Sequence, residues 1–340
     1  MARAAAEPER EALPHPRDIY AYDHGEAVER PFLEALERGR LHHAWLLCGL
    51  EGLGKATFAY RAARRLLGAA PDPGQGLLGA SPSDPVSRQV AARSHPDLMV
   101  LERVGEDGKP RKVIPVDEAR RLPEFFAKAP ASAPYRVAII DAVDDMNTNA
   151  ANALLKTLEE PPPRGVLFLV SHSPGGLLPT IRSRCRRLRF DPWAEEDVVG
   201  FLHARTGATT EEALRLARMA RGAPGRAMAL AVAGALGVDD AAHALLRGLA
   251  DGDTNGLQAL SESFRGPEGL ERFQLLFERL ADQVRQTAVA NAMEGRAPGE
   301  RWAEVWDMLI RLPRDVEAVN LDRADAFWTA VADLRAAARV

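Results

Sequence analysis

Gly49-Leu50-Glu51-Gly52-Leu53-Gly54-Lys55-Ala56-Thr57 is the stretch whose reading decides the fold. A short apolar run, Ala44 to Cys48, precedes it and predicts a buried strand. Phe58 to Leu67, rich in Ala, Arg and Leu, predicts the helix that follows. A glycine-rich turn between a strand and a helix N-terminus is the geometry that cradles phosphate. Its backbone N–H groups point inward, the helix dipole favours an anion and a lysine reaches the terminal phosphates. Gly49, Gly52, Gly54 and Lys55 are therefore candidate nucleotide contacts. The phosphate-loop pattern requires Ser or Thr directly after the lysine, to hold magnesium, and Ala56 stands there. Thr57 joins the candidate set with a reservation, since one step along a helix turns a side chain by about 100°. A glycine-rich turn that binds no nucleotide is the alternative reading of these residues.

Working outward, Asp97 to Glu102 predicts a second strand, with Leu98-Met99-Val100-Leu101 as its apolar run, and Arg136-Val137-Ala138-Ile139-Ile140-Asp141 a third. A continuous apolar run closed by an acid belongs to a parallel sheet covered on both faces. Asp141 is the candidate magnesium-ordering acid beside the loop. Hydrolases of this kind usually place a glutamate next, to polarise the attacking water, and here Ala142 follows. Asp144 and Asp145 lie past the strand end and are not assumed to replace it. Loss of a general base costs about 10²- to 10⁴-fold. With the hydroxyl also missing at Ala56, little or no hydrolysis is expected.

Asn147 to Glu160 has helical spacing and is stopped by Pro161-Pro162-Pro163, and Val166 to Ser171 reads as a fourth strand. Arg182-Ser183-Arg184-Cys185-Arg186-Arg187-Leu188-Arg189 carries five arginines in eight residues. A solvated face with local ion pairs and an arginine presented to phosphate both fit that run. Before the loop, Gly25 to Arg38 predicts a helix. Between the loop helix and the second strand, residues 68–96 read as a loop insertion, and Gly105 to Lys112 as an exposed turn. Val116 to Lys128 reads as a helix with Pro123 as a candidate kink. His42 and His43 tempt a metal reading, but neighbours on a strand point to opposite faces.

From Trp193 onward the pattern is helical, with Thr209-Thr210-Glu211-Glu212 as a capping-box start. Helices are expected at roughly 240–250, 268–293, 299–311 and 323–338. The expected division is an α/β domain over 1–192, a small helical domain over 193–238 and an all-α domain over 239–340.

The 340 residues carry a net charge of −4, so any grip on nucleic acid must be a local patch. Cys48 and Cys185 are the only cysteines, which fits a reducing compartment without a disulfide framework. No run of about 18 apolar residues occurs, and residues 1–16 lack the apolar core of a signal peptide. A soluble cytoplasmic protein is expected.

The phosphate loop, the strand ending in Asp141, Leu154-Leu155-Lys156-Thr157-Leu158-Glu159-Glu160-Pro161-Pro162, another strand, and Ser183-Arg184-Cys185 occur in that order. This order resembles the bacterial clamp-loader AAA+ proteins, and among them the delta-prime family of DNA polymerase III. His42-His43-Ala44-Trp45 and Asn320-Leu321-Asp322-Arg323 add to the likeness with alphaproteobacterial members. The resemblance implies an AAA+ phosphate-loop domain with a five-stranded parallel sheet, a helical lid and a C-terminal collar domain. It implies gamma or tau and delta subunits as partners, together with the beta sliding clamp and primed DNA. It also implies that Arg184 reaches a neighbour's ATP as an arginine finger, and that this chain acts as a non-hydrolysing stator. An active AAA+ ATPase, such as a gamma-like motor, is the competing reading.

Three departures from the family matter. Residues 68–96 hold no cysteine, so the family's four-cysteine zinc module has no ligands here. The ATP-sensing position after the fourth strand falls on His172 or Ser173. The lid arginine of active relatives aligns nearer Gly225 than Arg226. No cofactor is required on this reading, and weak ATP or ADP binding is the most the intact Gly52, Gly54 and Lys55 imply.

Overall fold

The computed structural model describes residues 13–104, 111–249, 254–266, 269–293 and 300–338. Most of the expected N-terminal lead-in, and the turn over 105–110, lie outside the described residues. The chain divides into two compact units, 1–228 and 229–340.

In the first unit α1 (Glu26–Glu37) leads to β1 (Ala44–Cys48), and the glycine-rich turn joins β1 to α2 (Lys55–Leu66). Then come α3 (Pro85–Ala91), β2 (Leu98–Glu102), α4 (Val116–Ala127), β3 (Arg136–Asp141), α5 (Thr148–Glu159) and β4 (Gly165–Ser171). After β4 the chain forms α6 (Pro179–Ser183), β5 (Arg186–Arg189), α7 (Glu195–Thr206), α8 (Thr210–Ala220) and the start of α9 (Pro224–Val232). The five strands form one sheet in the order β2-β3-β4-β1-β5, every pair parallel. Ala44 to Cys48 pairs residue for residue with Leu167 to Ser171, so β1 lies inside the sheet and delivers the glycine-rich turn at its carboxyl edge.

Alternate strand residues feed two cores, one on each face. Trp45 and Leu47 of β1 pack with Phe32 of α1, Phe58 of α2 and Phe168 of β4. Ala44 and Leu46 pack on the other side with Leu154 and Leu158 of α5. Phe32 is the hub of the first core, with ring centroids 5.1 Å from Trp45 and 5.7 Å from both Phe58 and Phe168. Aromatic pairs of this kind contribute about 0.5–1.5 kcal/mol each beyond simple burial.

Two buried ion pairs brace this unit. Arg61 Nε donates to Glu29 Oε1 at 2.6 Å, and both side chains are almost fully enclosed. Glu29 also accepts from the Leu78 N–H, and Arg61 donates to the carbonyls of Gln75 and Tyr20, so one pair ties α1, α2 and two loops. At the other edge Asp97 accepts from the N–H groups of Ala131, Ser132 and Ala133 and from Arg136 Nε, fixing the entry to β3.

The second unit begins within α9 and continues through α10 (Ala235–Arg247), α11 (Thr254–Glu262), α12 (Gly269–Met293), α13 (Glu300–Val319) and α14 (Arg323–Ala338). Its core gathers Phe264, Phe273, Leu276, Phe277, Phe327 and Leu334. Among the described residues it contains no strand.

Several local expectations change. Residues 68–96 are not wholly loop. Asp84 caps α3 through the N–H groups of Val86 and Ser87, Pro85 sits at the first helical position, and Val90 is buried. The residue pattern shows four strands, and β5 is the fifth. Three of its four residues are exposed and charged, as an edge strand tolerates but an apolar-run search misses. α11 escapes because Thr254-Asn255-Gly256 reads as a turn. α13 runs past Pro313 to Val319, because Val305, Leu309 and Val316 keep one face buried despite the lost hydrogen bond. His42 and His43 do not splay to opposite faces. Both precede β1, and their rings stack with centroids 4.4 Å apart.

Candidate nucleotide site and arginine edge

The glycine-rich turn has the backbone its sequence demands. Gly52 and Gly54 sit at φ +81° and +80°, conformations that residues with a Cβ rarely adopt. Gly54 caps α2, whose first residue is Lys55. The Lys55 ammonium bends back into the loop and donates to the carbonyls of Gly49 at 2.7 Å and Leu50 at 2.5 Å. Burial lowers its pKa to about 8, against the pull of Asp141, Glu51 and Asp144. Ala56 packs partly against the apolar core, and Thr57 is buried.

Two segments close over this loop. The Gly225 N–H donates to the Gly52 carbonyl at 2.8 Å, and a Cβ on Gly52 would lie 2.3 Å from the Arg226 nitrogen. Arg226 thus meets the loop through its backbone, next to Gly225, the position that the resemblance matches to the lid arginine of active relatives. From the N-terminal side, the Tyr22 hydroxyl donates to the Leu53 carbonyl at 3.3 Å. Its ring covers Gly54, where a Cβ would come within 2.6 Å. Nothing in the local pattern around Tyr22 marks that role, because the contact depends on tertiary packing alone.

Asp141 ends β3 opposite Glu102 of β2. Burial, then the Glu102 charge, raise its pKa to about 6, while His15 and Lys55 pull it down. Asp144 is engaged at the end of β4. Its carboxylate accepts from the Ser171 hydroxyl at 2.9 Å and from the His172 N–H at 2.6 Å, which ties the end of β4. His172 is the sensor candidate that feels the loop. Burial, then the Lys55 charge, lower its pKa, and its Nδ1 is buried without a hydrogen-bond partner.

Gly49, Gly52 and Gly54 are already closely approached by Phe190, the Arg226 backbone and Tyr22, and Lys55 supplies the cation of the loop. For ATP or ADP to bind, Lys55 must exchange two carbonyls for phosphate oxygens. Ala56 offers no hydroxyl to a divalent cation, and Asp141, at the end of β3, is the acid of the candidate set. No general base is present at position 142. Among the described residues no group of three or more His, Cys, Asp or Glu could hold a metal ion.

Arg184 lies away from this loop, at the C-cap of α6. Its Nη1 donates to the Thr180 carbonyl and its Nη2 pairs with Glu159 at 3.1 Å, at the end of α5. The arginine side chain is 36% exposed and the glutamate 51%. Such a pair contributes about 0–1 kcal/mol, so another anion can displace it. The rest of the arginine run divides by role. Arg186 lies over the Trp45 ring at 4.8 Å, and Arg189 pairs with Asp191 at 2.7 Å.

Residues 25–194 match the family model described as DNA polymerase III, delta subunit. This chain belongs to that family. It is 40% identical over 148 residues to a protein named DNA polymerase III subunit delta′ from Pseudomonas aeruginosa, covering 44% of this chain and 43% of that one. It is 34% identical over 205 residues to the subunit of the same name from Escherichia coli, covering 59% of each chain. A subunit gamma from Buchnera aphidicola is 32% identical over 186 residues, covering 55% of this chain and 48% of its own. The matches span about half the length of these curated relatives. The parallel five-stranded sheet and the helices around it give the family member an α/β fold. No single helix among the described residues is long and apolar enough to cross a membrane.

Proposed function

We propose that this chain is a delta-prime-type subunit of the DNA polymerase III clamp loader. It acts as a non-hydrolysing stator that joins gamma or tau and delta subunits to place the beta sliding clamp on primed DNA. Arg184 is the arginine it offers to ATP bound by a neighbour. The observation that carries this reading is the pairing of a phosphate loop lacking its hydroxyl and its base, at Ala56 and Ala142, with a partly exposed Arg184 held by a weak ion pair. Membership of the delta-subunit family and two relatives named delta′ support it. An arginine supplied in trans contributes about 10³- to 10⁵-fold to phosphoryl transfer in GTPases.

Relatives named gamma and gamma/tau, and an intact Lys55, favour a second reading as an ATPase motor. The finger role is tested by reconstituting the loader with gamma and delta subunits and measuring DNA- and clamp-stimulated ATP turnover, and the motor reading by ATP turnover of the isolated chain. Arg184→Ala is expected to lower that turnover at least about tenfold without dissociating the complex. Unchanged turnover in an intact complex rejects the finger role.

A further inference from the structure

At the opposite end of β1 from the phosphate loop, a cavity of about 300 Å³ lies between α1 and the start of β5. Arg30, Arg38, Arg40 and Arg186 line it, with Glu34 as the one acid among them. A net charge of −4 for the whole chain makes four guanidinium groups around one cavity a local exception. Arg38 has an ordinary explanation, since it caps α1 at its C-terminus and pairs with Glu34 at 3.4 Å. Arg30 pairs with Glu26 one helical turn away. Those two pairs are exposed and yield readily to a stronger anion.

Arg40 and Arg186 have no such explanation. Both are exposed, and among the described residues no carboxylate pairs with either. Arg186 is held in place by the Trp45 ring beneath it, so its guanidinium is oriented before any ligand arrives. Trp45 is fully buried, so the cavity offers charge and hydrogen-bond donors rather than a stacking surface for bases. Gly49 lies four positions after Trp45, roughly 13 Å along a strand, which keeps this cavity apart from the nucleotide loop.

We infer that the α1–β5 cavity is a second phosphate-binding site, recognising the phosphates of a nucleic-acid strand or of a free polyphosphate through Arg40 and Arg186. The inference does not depend on the clamp-loader reading. The test uses the full chain carrying Lys55→Ala, which removes the loop lysine from the readout. Binding of a fluorescein-labelled oligothymidylate is followed by anisotropy at rising salt, and binding of inorganic tripolyphosphate by calorimetry. Arg40→Ala with Arg186→Ala is expected to weaken binding at least about tenfold and to lower the logarithmic salt slope for the oligonucleotide by about 1.4. Arg40→Lys with Arg186→Lys, which keeps the charge, is expected to retain most of the binding. Arg187→Ala with Arg189→Ala, on the same strand outside the cavity, is expected to change little. Loss for oligothymidylate identifies a strand as the source of phosphate, and loss for tripolyphosphate alone identifies a free polyphosphate. Binding of neither probe, binding untouched by the Arg40 and Arg186 alanines, or an equal loss from the Arg187 and Arg189 alanines overturns the inference.

Discussion

The Gly225 N–H donates to the Gly52 carbonyl at 2.8 Å, so the start of α9 is fastened to the loop that would hold phosphate. The contact is close because neither residue carries a Cβ. A Cβ on Gly225 would come within 3.0 Å of the Gly52 carbonyl oxygen, and one on Gly52 would strike the Arg226 nitrogen. Any nucleotide entering this loop must be accommodated beside a segment already bonded to it.

Gly52→Ala tests that fastening. An alanine at φ +81° is strained, and its methyl group collides with backbone that cannot swing away. A destabilisation of roughly 1–3 kcal/mol is expected in urea unfolding. Gly175→Ala is the control, since nothing lies within 4 Å of its added carbon, and it is expected to shift stability by less than about 0.5 kcal/mol. Equal effects from the two would show that the contact has no weight.

Asp141 makes stability depend on pH in a stated direction. Burial and Glu102 raise its pKa from 3.8 to about 6, so between those values the folded chain holds a proton that the unfolded chain has released. Stability from this group is therefore greatest in acid and falls as pH rises through the window. Above pH 6 the cost reaches at most about 3 kcal/mol. Asp141→Asn is expected to raise the melting temperature at pH 7.5 and to lose that advantage near pH 4. An advantage that grows toward acid would contradict the assignment.

Glu29 holds the buried guanidinium of Arg61. Glu29→Ala leaves that charge enclosed without its carboxylate and is expected to cost about 3–5 kcal/mol. Glu29→Gln keeps an oxygen that can accept from the Leu78 N–H and is expected to cost less. Chemical denaturation of both variants measures the order.

How much of this was legible depended on whether the signal was local. β1, β3 and β4 announced themselves as apolar runs because both faces of a central parallel strand are covered. The boundaries of α5 followed from Asn147, whose side chain accepts from the Ala150 N–H, and from the prolines after Glu160. The loop glycines and Lys55 were equally plain. β5 was hidden by its arginines, although the family resemblance implied a fifth strand, and α3 by the Gly- and Pro-rich sequence around it. The partners of the loop could not be read at all. Tyr22 and Gly225 lie 32 and 171 positions from Gly54, and only tertiary folding brings them to it. The use of Asp144 to tie β4 was likewise invisible, because an acid past a strand end looks the same whether it serves chemistry or structure.

The most direct measurement of the central claim is steady-state ATP turnover by the purified full chain alone, with Lys55→Ala as the background control. The account predicts that the two proteins are indistinguishable, because position 56 carries no hydroxyl and position 142 no base. Brisk turnover by the unmodified chain that disappears in Lys55→Ala would contradict it.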